Sequence, residues 1–172
     1  MQYYRTCIPL VLLFLFAMRA AAQDKAAAPS VRVSGEVMRP LTLYAADLAK
    51  MPRTTATLQD RGGKAHTYIG VPIQRILERA GVTTGTQLRG ENLVKYLLVK
   101  CADGYEVLFS LAELDSSFTS RTVILADELD GQPLPAAKGP FRLVVPGEQK
   151  PARSCFQVTE LEIGYPRLHP SD

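Results

Sequence analysis

The sequence has no tryptophan and only two histidines, His66 and His169. Neither histidine has a second His, Cys or carboxylate at zinc-ligand spacing, so no zinc site is expected. His66 reads as an exposed strand residue. Cysteine is scarce as well: Cys7, Cys101 and Cys155 are far apart, and no Cys-x-x-Cys pair marks a thiol oxidoreductase. There is no nucleophile elbow, phosphate loop or calcium loop. Basic residues do not cluster among aromatics, which argues against nucleic acid as a partner. The acidic pairs Glu113/Asp115 and Asp127/Glu128 read as solvated surface.

What is present is a globular composition, 47% hydrophobic and 22% charged over 172 residues, enough for one domain with one core. The N-terminus carries Arg5, the apolar run Ile8 to Met18 and the small residues Ala20-Ala21-Ala22. That run is about 11 residues, short of the roughly 20 that span a bilayer. Residues 1–22 are therefore expected to be a secretory signal peptide and the mature protein to be periplasmic or secreted, without a stable membrane span. An uncleaved N-terminal anchor is the competing reading. Cleavage would remove Arg5 and Arg19 and take the formal charge from +3 to +1. It would also remove Cys7, leaving Cys101 and Cys155 in a compartment that permits disulfides.

Residues 23–30 are Ala-rich and polar and read as a flexible lead-in, 31–164 as the folded domain, and 165–172, with two prolines, as a tail. Val31 to Val37 alternates as a half-buried strand. Leu41 to Leu43 is extended, and Tyr44 to Lys50 has helical spacing before Met51-Pro52. Thr54 to Leu58 and His66 to Ile69 form a hairpin. Val71-Pro72 opens a helix with Ile73, Ile76, Leu77 and Ala80 on one face, and Gly81 ends it. Leu93 to Cys101 and Tyr105 to Phe109 pair across Asp103-Gly104. Ser110 caps a short helix with Glu113 at its third position. Val123 to Ala126 and Phe141 to Val145 are buried strands, and Phe156 to Ile163 is a last strand with one irregularity. Eight or nine strands with two or three short helices make a mixed α+β domain, not a doubly wound one.

Five segments then carry a resemblance: Val31 to Val37 with Pro40 to Leu43; Tyr68-Ile69-Gly70-Val71-Pro72 with its helix; Leu125-Ala126 with Asp130-Gly131-Gln132-Pro133-Leu134; Gly139-Pro140-Phe141-Arg142-Leu143-Val144-Val145-Pro146-Gly147; and Ala152-Arg153-Ser154. In order and spacing over about 130 residues the sequence resembles the molybdopterin-binding domain of the sulfite-oxidase family, particularly its small exported members. The resemblance implies the mixed-sheet, α+β sulfite-oxidase-type fold with a few short helices. It also implies a pocket for a molybdenum–pterin cofactor. The family's metal-ligating cysteine falls at Cys101, followed by Ala102-Asp103-Gly104. A thiolate fixed at a strand end suits a metal that prefers soft donors. The family's Arg-Ser-Val-Lys-Trp-like run, which grips the anionic pterin, falls on Arg153-Ser154-Cys155-Phe156-Gln157, with Phe156 and Gln157 where the family has Lys and Trp.

The resemblance thus makes Cys101, Arg142, Arg153 and Ser154 cofactor-binding candidates, with Cys101 as metal ligand and Asp103 and Tyr105 at the pocket mouth. It also brings Cys101 and Cys155 to one pocket, where a disulfide would compete with metal ligation for the same sulfur. No residue stands out as catalytic. Each candidate has a plainer reading: a small buried cysteine, salt-bridged arginines, turn chemistry at Asp103-Gly104. Three functions stay open, of which a thiol–disulfide role for Cys101 and Cys155 is the least supported, because they lack Cys-x-x-Cys spacing. Another is a minimal or degenerate binding or accessory module whose pocket, near Cys101 and Arg153, holds a small anionic ligand or redox partner. The third is a small molybdopterin-dependent oxidoreductase in which Cys101 holds the metal.

Overall fold

The computed structural model describes residues 28–60 and 62–166. The expected signal peptide, most of the lead-in and most of the tail lie outside these residues. No helix among the described residues is long and apolar enough to cross a membrane.

Among the described residues ten strands form two sheets. The first has the order β2-β1-β10-β5-β6, from β1 (Ser30–Gly35), β2 (Leu41–Tyr44), β5 (Tyr96–Cys101), β6 (Glu106–Ser110) and β10 (Val158–Gly164). Its β1–β10 pair is parallel and its other pairs are antiparallel. The second sheet is antiparallel. It runs β3 (Thr54–Gln59), β4 (Ala65–Pro72), β7 (Ile124–Leu129) and β8 (Gln132–Pro133), with β9 (Arg142–Val144) also on β7. The mixed-sheet α+β architecture with a few short helices expected from the sequence is what the chain adopts.

The main core lies between the sheets. Val31, Val33, Leu97, Val99, Phe109, Leu161 and Ile163 from the first sheet meet Val71, Leu125 and Leu143 from the second. Helix α2 (Ile73–Ala80) inserts Ile73, Ile76, Leu77 and Ala80 into the same core. Gly81 ends it in the left-handed conformation with φ 74°, where a β-carbon would be strained. A smaller cluster of Tyr68, Ile124, Ala126 and Val144 covers the other face of the second sheet. The Ile124–Ala126 half of β7 and strand β9 are therefore buried on both faces, whereas Asp127, Glu128 and Leu129 are half-buried. Gly70 stands at a register shift between β4 and β7, where a β-carbon would collide with the Leu125 carbonyl.

Three elements differ from the sequence expectation. The helix at 44–50 is a single turn, α1 (Ala45–Leu48), in which Asp47 accepts the Tyr44 N–H at 3.0 Å and only Leu48 is buried. The strand expected from Leu93 starts at Tyr96. Leu93 and Val94 belong instead to an exposed 3-10 turn, and their branched side chains find no core to join. The strand expected from Phe156 starts at Val158, because Gln157 takes φ 50°, and its irregularity is a register shift between Val158 and Glu160. The capping box of Ser110 and Glu113 forms as expected, on a 3-10 turn at Leu111–Leu114.

Candidate functional site

Cys101 ends β5 as the chain turns into β6. Its N–H donates to the Tyr105 carbonyl at 3.0 Å, Gly104 returns an N–H to its carbonyl at 3.1 Å, and Asp103 accepts the Tyr105 N–H at 3.0 Å. Asp103 and Gly104 thus serve the turn. The Tyr105 hydroxyl reaches the Ala152 carbonyl at 3.0 Å and ties this turn to the 3-10 turn Pro151–Arg153. The backbone continues the link through Ala102 N–H to Gln157 O at 3.0 Å and Leu143 N–H to Cys155 O at 2.9 Å. These bonds place Cys101 beside Cys155. Both are buried free thiols, near each other and not bonded. Burial raises the pKa of each, and that of Cys155 far more.

The two candidate arginines are separated. Arg153 stacks on the Phe109 ring at 4.3 Å and donates to Glu148 at 2.8 Å, Glu113 at 3.0 Å and the Leu108 carbonyl at 3.2 Å. Partial burial opposes its charge, but the Glu148 and Glu113 carboxylates outweigh that and raise its pKa. Arg121 completes the network at 3.5 Å from Glu113 and 3.7 Å from Glu148. Ser154 is structural: its buried hydroxyl accepts the Val145 N–H at 2.9 Å.

Arg142, on β9, is 7% exposed. Its guanidinium lies between the rings of Tyr68, at 4.7 Å, and Phe156, at 4.3 Å. It donates to the Tyr68 hydroxyl and, at 3.5 Å, to the Ser154 carbonyl. Nε has no partner, and no carboxylate among the described residues pairs with it. Burial lowers its pKa. A buried cation with neutral neighbours costs several kcal/mol unless an anion joins it.

Arg142 and its two rings line a cleft of about 530 Å³ that also includes Lys138 and His66. Lys138 Nζ lies 5.9 Å from the Phe156 ring centre. His66 is bound on both sides, Nδ1 at 2.7 Å from Asp130 and Nε2 at 3.4 Å from Asp60. Thus His66, read from sequence as an exposed strand residue, stands on the cleft wall. Tyr68, Lys138, Phe156 and His66 were not singled out as site residues. The available signal was Lys138 four residues before Arg142, with a Gly-Pro between them. No sequence pattern ties Tyr68 to Arg142, because their contact joins β4 to β9.

The family model for the oxidoreductase molybdopterin binding domain matches residues 19–163. The chain belongs to that family. The crystal structure of the sulfane dehydrogenase SoxCD from Paracoccus pantotrophus is similar, with a TM-score of 0.61 and 25% identity over 78% of this chain. The chain spans 38% of the length of that protein. No curated protein matches the sequence.

Proposed function

We propose that this protein is an exported binding or accessory module of the molybdopterin-binding oxidoreductase family, which receives a small anion in the cleft beside Arg142. The observation that carries the reading is the unpartnered Nε of a buried, unpaired guanidinium. An anion would meet a preformed donor in a site of low dielectric, where charge-assisted hydrogen bonds are strongest. Lys138 adds a second cation near the same cleft. Export is supported by the leader-like residues 1–22.

The residues fit the family's cofactor at one end. The Arg142 cleft suits an anionic group, and its aromatic walls suit a flat one. The metal end does not fit: Cys101 has the free thiol of Cys155 near it and does not line the Arg142 cleft. Phe156 in place of the family's lysine removes a further cation and supplies a ring that packs on Arg142.

The second reading, a small molybdenum-dependent oxidoreductase, is favoured by the free thiol of Cys101 at the end of a strand. Molybdenum and pterin-fluorescence analysis of the protein purified from its native compartment separates the two. The binding-module reading expects neither in stoichiometric amount, together with saturable binding of inorganic phosphate. Stoichiometric molybdenum would establish the enzyme reading. Absence of both the metal and phosphate binding would overturn the anion cleft.

A further inference from the structure

Cys101 and Cys155 come from segments 54 positions apart in sequence, yet the pairing of Cys101 with Val158 and of Ala102 with Gln157 brings them near each other. Each is fixed by its own backbone: Cys101 by the β5–β6 turn, Cys155 through its carbonyl to Leu143. Neighbouring cysteines that are already placed need little chain movement to reach disulfide geometry. The two sides of the pair differ. Cys101 is followed by a run of exposed residues from Ala102 to Glu106, whereas Cys155 follows buried Ser154.

We propose that Cys101 and Cys155 form a reversible dithiol–disulfide pair whose closure withdraws the Cys101 sulfur from any soft metal and pins the Ser154–Phe156 segment to the end of β5. The oxidant is a small disulfide. Cys101, as thiolate, attacks one sulfur of the oxidant, breaking its S–S bond and releasing one thiolate. Cys155 then gives up its proton and attacks the Cys101 sulfur of the mixed disulfide, expelling the second thiolate. The protein loses two protons and two electrons, and the oxidant becomes two thiols. Reduction by excess thiol runs the same steps backwards. A metal needs the deprotonated, unbonded sulfur, so the oxidised form has no soft donor to offer at this position. The pair stands independently of the Arg142 cleft.

The test is to equilibrate the folded, leader-free protein with mixtures of reduced and oxidised glutathione, quench with acid, and count free thiols in denaturant. Wild type should pass from two thiols to none, lose two hydrogens by intact mass, and recover both thiols on reduction. Cys155→Ala should keep its Cys101 glutathione adduct, because no second thiol resolves it. The thermal midpoint should rise on oxidation of wild type and not of Cys155→Ala, since the bridge restricts the unfolded chain. Two thiols persisting in oxidised glutathione, or a wild-type adduct that never resolves, would overturn the proposal. Phosphate binding by the Cys101→Ala/Cys155→Ala double variant reports the Arg142 cleft alone, so failure of one proposal is distinguishable from failure of the other.

Discussion

Arg142 and Arg153 sit eleven positions apart and answer burial in opposite ways. Arg153 brings its charge to carboxylates, Glu148 and Glu113, and is held as part of a network with Arg121. Arg142 goes deeper, among Tyr68, Phe156 and a backbone carbonyl, and keeps one N–H without a partner. A satisfied arginine holds structure together. An unsatisfied one is a standing cost to the fold that a ligand can relieve. Identity of residue type did not decide which was which; the second layer of neighbours did.

The sharpest way to break this contrast is to remove both charges in parallel. Arg142→Met should weaken phosphate binding about 10- to 100-fold, the equivalent of one hydrogen bond to a charged group at about 1.5–3 kcal/mol. Its unfolding free energy should equal or exceed that of wild type, because an unpaired buried charge leaves with the side chain. Calorimetric titration and chemical denaturation measure the two effects. Arg153→Met should do the reverse, leaving phosphate binding intact and costing about 2 kcal/mol, since Glu148 would be left largely buried without its closest cation. If Arg153→Met also abolishes binding, the two arginines share one site and the contrast fails.

Acid should separate them further. Burial raises the Glu113 pKa, but its hydrogen bonds to Ser110 and Arg153 prevail and hold it below the ordinary carboxylate value of 4.5. A depressed carboxylate contributes stability above its unfolded pKa and loses it as pH falls through the folded value. The stability gap between wild type and Arg153→Met should therefore close below about pH 4. Denaturation curves at pH 7 and pH 3 check this, and a gap of equal size at both would refute it.

Glu160 gives the smallest effect and a useful third case. It is bonded to Arg32 at 2.9 and 3.0 Å and to Ser34 at 2.7 Å, and the Arg32 hydrogen bond is the main cause of its pKa falling to about 2. Arg32 is largely exposed, so solvent screens the pair and its contribution is small. That contribution is present above about pH 4.5 and is lost as pH falls towards 2. Glu160→Gln should cost stability at pH 7 and nothing at pH 2, as read from thermal midpoints.

Much of the fold could be read from short-range patterns. The alternation at Val31–Val33, the Gly81 stop and the Ser110/Glu113 box each state a local rule that the chain obeys. The misses came where burial, not propensity, chose the ends: Leu93 and Val94 have strand-compatible side chains but nothing to pack against. The candidate site was less readable. Cys101, Cys155 and Arg142 drew notice through resemblance, but what each one touches depends on pairings between distant strands. The Tyr68 hydroxyl meets Arg142 from 74 positions away, and Glu148 claims Arg153 in a loop that motif reading treats as a connector. Phe156 was noticed as a missing lysine. Its part as one wall of the Arg142 sandwich needed the third dimension.

The parallel pairing of β1 with β10 has a consequence for biogenesis. The strand nearest the C-terminus occupies the middle of the first sheet, with β1 and β2 on one side and β5 and β6 on the other. Two ready hairpins must therefore wait, unjoined, until Val158–Gly164 has emerged from the ribosome. Such late closure raises contact order and slows folding. During that interval the inner faces of both hairpins stay open to solvent, so a nascent chain stalled before Val158 is a natural client for a holdase.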